Sequence, residues 1–296
     1  MRVFVTGATG FIGSAVVQEL LGAGHEVLGL ARSDSSAERL TSLGVAVHRG
    51  ELADTQSLAA GARACDGVIH TAFIHDFSQY EANGETDRVA LEAMASALEG
   101  TGKPLVSTSG LTADTPGRAS TERDGPDLNG LGRVRAKSEE VLAAASRGVR
   151  ASVIRLPPTV HGRGDQGFMP QLIETARRTG VAAYVGDGAN RWPAVHRLDA
   201  ARLFRLACET AAPGTRLHGV GEEGVPMRAI AEVMGAGLGV PVRSLTAEEA
   251  MAHFGFLGMF VGRDFPASSA LTREMMGWRP RAPDLLDDLR EGGYFS

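Results

Sequence analysis

The sequence predicts an α/β protein built on a doubly wound parallel sheet, with a smaller, mainly helical region toward the C-terminus. Three observations carry this. Val3-Phe4-Val5-Thr6-Gly7-Ala8-Thr9-Gly10-Phe11-Ile12-Gly13 is a short apolar run feeding three glycines and then an amphipathic segment, which reads as strand, tight turn and helix. Apolar runs and helical patterns then alternate as far as Pro157-Pro158, the pattern of parallel strands joined by helical crossovers. Past Pro158 the alternation stops, and short amphipathic helices separated by Gly and Pro take over.

The first of these stretches is a place to put a pyrophosphate. Gly7 permits the turn, Gly10 lets the backbone approach phosphates with no Cβ in the way, and Gly13 lets the helix pack closely on the strand. The helix then turns its free N–H groups and the positive end of its dipole toward the anion. With 38 glycines in 296 residues, nearly twice the usual share of about 7 %, the trio alone is weak. Its context strengthens it, because Ala15, Val16, Val17, Leu20 and Leu21 follow at helical spacing.

Glu26 to Leu30 reads as the second strand, followed by Ala31-Arg32-Ser33. An acidic residue at that strand's end holds the adenosine ribose in such folds, whereas an Arg receives a 2′-phosphate. Arg32, aided by Ser33, therefore indicates NADPH, with NAD(H) the lesser choice and a solvated loop arginine the plain alternative. Val45 to His48 is the third strand, and Asp54 caps the helix after it. Glu51 and Leu52 line the adenine pocket or are ordinary loop residues. Gly67 to Ala72 is a buried strand whose carboxyl end, with Thr71 and Ala72, faces the cofactor; His70 either touches ligand or is a satisfied core histidine. Tyr80 to Leu98 forms a long helix, and Pro104-Leu105-Val106 opens a strand ending in the hydroxyl cluster Ser107-Thr108-Ser109, a candidate for orienting a substrate carbonyl. Leu111 to Gly130 is a loop over the cleft mouth, Gly132 to Arg147 a helix, and Ala151 to Leu156 the next strand. Val160 to Asp165 and Asn190 to His196 are expected as loops, with a helix from Phe168 to Arg178 between them and another from Arg197 to Glu209.

These elements divide the chain into a dinucleotide-binding domain at 1–157, with 194–212 packing back on it, and a substrate-binding cap from 158–193 and 213–296. The net charge of −5 and pI near 5.9 argue against nucleic acid or an anionic membrane as main partner. No apolar run of about 18 residues exists and no signal-peptide pattern precedes the first strand, so a cytoplasmic protein is expected. Cys65 and Cys208 suggest neither a disulfide framework nor a metal site. Of 30 basic residues only Lys103 and Lys137 are lysines.

Together these residues resemble the short-chain dehydrogenase/reductase superfamily, in its extended branch of epimerases, dehydratases and reductases. Thr6 to Gly13 looks like the extended-branch cofactor motif, Ile69 to Ala72 its next landmark, and Ser107-Thr108-Ser109 its active-site serine stretch. Arg155 to Asp165, with Leu156 near the cofactor and His161 at an aromatic position, and Ala194 to Asp199 match later segments. The resemblance implies a Rossmann-type fold, a homodimer, a small-molecule substrate, and a catalytic Tyr four residues before a Lys. Phe73, Trp192 and His196 are the candidate substrate contacts, Trp192 and His196 because aromatic residues suggest an apolar ligand, with plain core the alternative. Lys137 matches the lysine, but Arg133 stands in place of the tyrosine and is no proton donor at neutral pH. An atypical active site follows. The expectation is an NADPH-dependent carbonyl reductase in which Ser109, with Thr108 in reserve, orients the substrate oxygen and Lys137 holds the ribose. The proton then comes from water, the substrate, His161 or Tyr184. Alternatives are an NADP(H)-binding sensor without catalysis and a sugar-nucleotide-type epimerase or dehydratase. Arg133 either faces the cleft and binds an anion, or turns to solvent or to Asp124 or Asp127.

Overall fold

The computed structural model describes residues 1–113, 115–130 and 132–296, without the side chain of Phe77; Asp114 of the expected 111–130 loop lies outside the described residues. In chain order the elements are β1 (Arg2–Thr6), α1 (Phe11–Gly22), β2 (Glu26–Ala31), α2 (Asp34–Ser42), β3 (Ala46–Arg49), α3 (Thr55–Arg63), β4 (Gly67–His70), α4 (Tyr80–Ala97), β5 (Pro104–Gly110), α5 (Arg133–Ala136) continued by a 3₁₀ helix (Lys137–Arg147), and β6 (Arg150–Leu156). There follow β7 (Thr159–His161), α6 (Phe168–Thr179), β8 (Ala182–Val185), β9 (Arg191–His196), α7 (Arg197–Thr210), β10 (Thr215–His218), β11 (Glu222–Pro226) and α8 (Met227–Leu238). The chain closes with β12 (Val242–Leu245), α9 (Ala247–Phe254), α10 (Gly258–Val261), α11 (Ala270–Met276) and α12 (Leu285–Glu291).

Among the described residues, seven strands form one sheet in the order β10-β6-β5-β4-β1-β2-β3, every pairing parallel. Apolar side chains cover both faces, as a parallel sheet requires. Val16, Val17 and Leu20 of α1 pack with Leu203, Phe204 and Ala207 of α7 on one face. Leu58 of α3, Leu91 and Met94 of α4, and Val141 and Ala144 of the 3₁₀ helix cover the other. Helix starts follow local chemistry. Asp54 accepts from Ser57 N at 2.9 Å to cap α3, as expected, and Thr246 and Glu249 form a reciprocal capping box on α9.

The remaining elements build a second core around Met169, Leu172, Trp192, Ile230, Met234, Phe254 and Leu289. The cap is mainly helical, as expected, and short strands join its helices. A three-stranded sheet β11-β9-β7 and a two-stranded sheet β12-β8 lie among its helices. The segment 190–196, expected as a loop, contains the central strand β9, and 160–165 begins inside β7. Pro193 hides β9 from a pattern reading because a proline cannot donate within a ladder. β11 accommodates it: the pairing jumps from Ala194–Glu222 to Trp192–Val225, so Pro193 lies opposite a bulge. Thr215–His218, counted in the cap by sequence, adds β10 beside β6; its polar residues gave no apolar run to read. No helix among the described residues is long and apolar enough to cross a membrane.

Candidate active site

Strand order reverses between β1 and β4, which places a crevice over their carboxyl ends. The glycine loop fits a dinucleotide there. Gly7 has φ +68°, and a Cβ on it would lie 2.7 Å from Ala72 N, so both the turn and the approach of β4 demand glycine. A Cβ on Gly13 would strike the Gly7 carbonyl and stand 2.8 Å from Thr71 Oγ1, which itself donates to Thr6 O at 2.8 Å. Gly10 is exposed, and a Cβ there would meet only the Gly7 carbonyl at 3.1 Å, leaving the crevice side open. No side chain caps α1, so the first-turn N–H groups of Phe11, Ile12 and Gly13 remain for an anion. Thr9, Phe11 and Ile12 are half-buried along this loop, with the Arg197 guanidinium 5.1 Å from the Phe11 ring. This cradle, with Leu156 buried at the end of β6, would hold the cofactor; when bound, its nicotinamide supplies hydride transfer.

At the far end of the crevice Arg32 is exposed just past β2, and Ser33 caps α2 by accepting from Ser36 N at 3.2 Å. Arg49 is a second cation at this edge that the sequence reading missed. It pairs in register with Ala31, the residue before Arg32, and its guanidinium holds Asp34 at 2.6 Å. Glu51 is exposed and Leu52 half-buried just past the end of β3.

Behind the crevice runs a buried polar chain. Thr6 Oγ1 meets His70 Nδ1 at 2.8 Å, His70 Nε2 meets Asp87 Oδ1 at 3.0 Å, and Ser138 donates to Asp87 Oδ2 at 2.6 Å. His70 is thus a satisfied core histidine. Burial alone would raise the Asp87 carboxyl, but His70, Arg135 and Ser138 outweigh it and hold it below the usual range. The hydroxyl cluster is spent on the backbone: Thr108 Oγ1 donates to His70 O at 2.7 Å, and the buried Ser109 Oγ donates to Arg135 O at 2.8 Å. Neither hydroxyl proton is available to a substrate oxygen in this arrangement.

Arg133 and Lys137 share one helix face, and that face meets α4. Arg133 is ion-paired with Glu81, and Lys137 Nζ stands 3.8 Å from both Glu81 and Glu85. The suggested partners of Arg133 are occupied elsewhere, Asp124 by Arg118 at 2.6 Å and Asp127 by Asn129 N at 2.9 Å. Arg135, two residues along and so about 200° around the helix, is the side chain that reaches the strand ends. Its Nη2 donates to Thr108 O at 2.7 Å, and its guanidinium carbon lies 4.0 Å over the Phe73 ring.

The other predicted positions lie in or beside the cap. His161 is fully buried, with Nδ1 2.9 Å from Asp288 Oδ2 and Nε2 without a hydrogen-bond partner among the described residues. His196 accepts from Leu198 N at 3.2 Å to cap α7, and its ring stands edge-on to His161 at 5.2 Å. Trp192 is core, fully buried between Phe168 and Phe265. Tyr184 lies on β8 under the Arg228 guanidinium. Beside His161, burial pushes the Asp165 carboxyl up to about 6, and Tyr294 donates to it at 3.2 Å. Among the described residues no group of three His, Cys, Asp or Glu is placed to hold a metal.

The profile of the NAD dependent epimerase/dehydratase family matches residues 3–218. The chain belongs to that family. It is 48 % identical over the full length of both chains to an uncharacterized protein of Schizosaccharomyces pombe. It is 31 % identical to the 2-alkyl-3-oxoalkanoate reductase of Stenotrophomonas maltophilia, over 81 % of this chain and 77 % of that one. In fold it is similar to a dTDP-glucose 4,6-dehydratase from Streptomyces venezuelae solved with NAD bound, with a TM-score of 0.80 and 21 % identity over 100 % of this chain and 96 % of the other. Membership in the family carries NAD(P)-dependent oxidoreductase or epimerase chemistry, and the extended-type glycine motif expected from the sequence is in place.

Proposed function

We propose that this family member is an NADPH-dependent reductase of a carbonyl on a small organic molecule. The observation that carries the reading is the charge at the adenosine end. Arg32 and Arg49 stand at the neighbouring ends of β2 and β3, and Asp34, two residues after Arg32, is already held by Arg49. That edge suits a 2′-phosphate better than a free ribose diol. The likeness to the 3-oxoalkanoate reductase supports reduction as the direction. Fluorescence titration with NADPH and NADH tests the cofactor choice; a preference for NADH overturns it.

Because Ser109, Arg133 and Lys137 are all engaged within the protein, an NADP(H) sensor without catalysis is the second reading. Tight NADPH binding with no turnover of aldehydes, ketones or 3-oxo acids would select it. We extend the main reading to a cytoplasmic homodimer built on α4 and the 3₁₀ helix, whose outer side exposes Val89. A monomer mass by light scattering would refute the dimer.

A further inference from the structure

The family's tyrosine is missing at position 133, yet a tyrosine and a cation meet at the carboxyl ends of β4 and β5 by another route. The inward stripe of α4 is Tyr80, Gly84, Asp87 and Leu91, at steps of four, three and four. Gly84 abuts Val134 so closely that any Cβ there would collide with the valine side chain. This contact draws the start of α4 against α5 and brings Tyr80, one turn before Gly84, beside Arg135, the residue after Val134. Phe73 joins them, its ring 6.0 Å from Tyr80 at 78° and 4.0 Å beneath the Arg135 guanidinium. Arg135 is anchored through Nη2 on Thr108 O, while its buried Nη1 has no hydrogen-bond acceptor among the described residues; Asp87, at 3.9 Å, is too far to serve. Nη1 is enclosed on the Asp87 side, so Arg135 acts by its charge on the phenol across the shared Phe73 ring rather than by a bond to substrate. The other two tyrosines are elsewhere, Tyr184 on β8 and Tyr294 bonded to Asp165.

Building on the carbonyl-reductase reading, we propose that Tyr80 donates the proton to the substrate's carbonyl oxygen and that Arg135, seated on the same Phe73 ring, stabilises the tyrosinate left behind. The carbonyl carbon gains the hydride and its two electrons, the C=O π bond breaks, and the Tyr80 Oη–H proton passes to the oxygen to give an alcohol. Solvent reprotonates the tyrosinate, and the dinucleotide leaves oxidised. The pair is the acid and cation of the family displaced to α4 and α5. The charged and titratable groups facing Tyr80 are Arg135, Glu81 and His75 across Phe73. Burial raises the phenol, Arg135 draws it down and Glu81 raises it further.

The first test needs no turnover. Ultraviolet titration of the tyrosines in wild type, Tyr80→Phe and Arg135→Met isolates the Tyr80 step by difference. Arg135→Met moves it up by about one pH unit or more and Arg135→Lys brings it back; a step that stays put separates the two residues and overturns the pair. The second test assays NADPH with benzaldehyde, acetoacetate and methylglyoxal. Tyr80→Phe lowers kcat by about 10²- to 10⁴-fold with NADPH affinity unchanged. A Tyr80→Phe enzyme within threefold of wild type overturns the donor assignment and leaves the reductase standing. A wild type that binds no NADPH removes the reductase reading instead, while the titration still judges the pair.

Discussion

Ser109 reaches from the end of β5 to the main-chain carbonyl of Arg135, 2.8 Å away, and so ties the sheet to the helix that carries Arg133, Arg135 and Lys137. The family's serine position here fixes a backbone. Ser109→Ala removes one donor from that carbonyl, and losing such a hydrogen bond costs about 0.5–1.5 kcal/mol. Denaturant unfolding should show that loss. Full stability with a collapsed kcat would instead return Ser109 to the substrate.

Arg32→Ala should weaken NADPH by one to two orders of magnitude and leave NADH nearly unchanged, since hydrogen bonds to charged groups contribute about 1.5–3 kcal/mol each. Arg49 sets the size of the effect, because it remains to meet the phosphate in part. Equal losses for both cofactors would sink the assignment of Arg32 to the 2′-phosphate.

Arg133→Ala is expected to be quiet. Its partner Glu81 and Arg133 itself are each about half exposed (side chains 52 % and 49 %), and such pairs contribute less than about 1 kcal/mol. Turnover and NADPH affinity should stay within threefold of wild type. A drop of a hundredfold in kcat with folding intact would place the guanidinium on the substrate.

Asp165 makes stability depend on pH in an unusual direction for a carboxylate. Burial lifts its pKa from 3.8 in a free side chain to about 6. A raised pKa means the folded state favours the protonated acid, so the contribution is fully present below about pH 4 and is lost as pH rises through 6. Asp165→Asn removes the titration and should stabilise the protein by about 1–2 kcal/mol at pH 7.5, discounted for the partial exposure of the group. At pH 4 the two proteins should unfold together. Melting curves at the two pH values decide it, and a gain of equal size at both would rule out ionisation as the cause.

The sheet was legible in the sequence because strands buried on both faces read as unbroken apolar runs, as in Val3-Phe4-Val5 and Val68-Ile69. The glycine cradle was legible because φ and clearance at Gly7 and Gly13 admit no side chain. β9 was not, since Pro193 is tolerated only through a bulge on another strand, 30 residues away. Nor was the identity of the cation at the strand ends. Spacing put Arg133 and Lys137 on one helix face but could not say which face meets the sheet. That was settled by the Gly84–Val134 contact and by the Ser109 bond to Arg135.

The interleaving of sheet and cap bears on how the chain is made. β10 closes the edge of β6, yet β7, α6, β8 and β9 are translated between the two, and β11 to α12 come after. A nascent chain that has emerged as far as β6 therefore presents an open parallel edge, the kind of surface on which strands from other molecules can add. A fragment ending near residue 157 would keep that edge and also lack α7, leaving Val16, Val17 and Leu20 of α1 bare. Neither half is a contiguous piece, so expression of residues 1–157 alone should give aggregates, and soluble material should first appear when the fragment extends through His218.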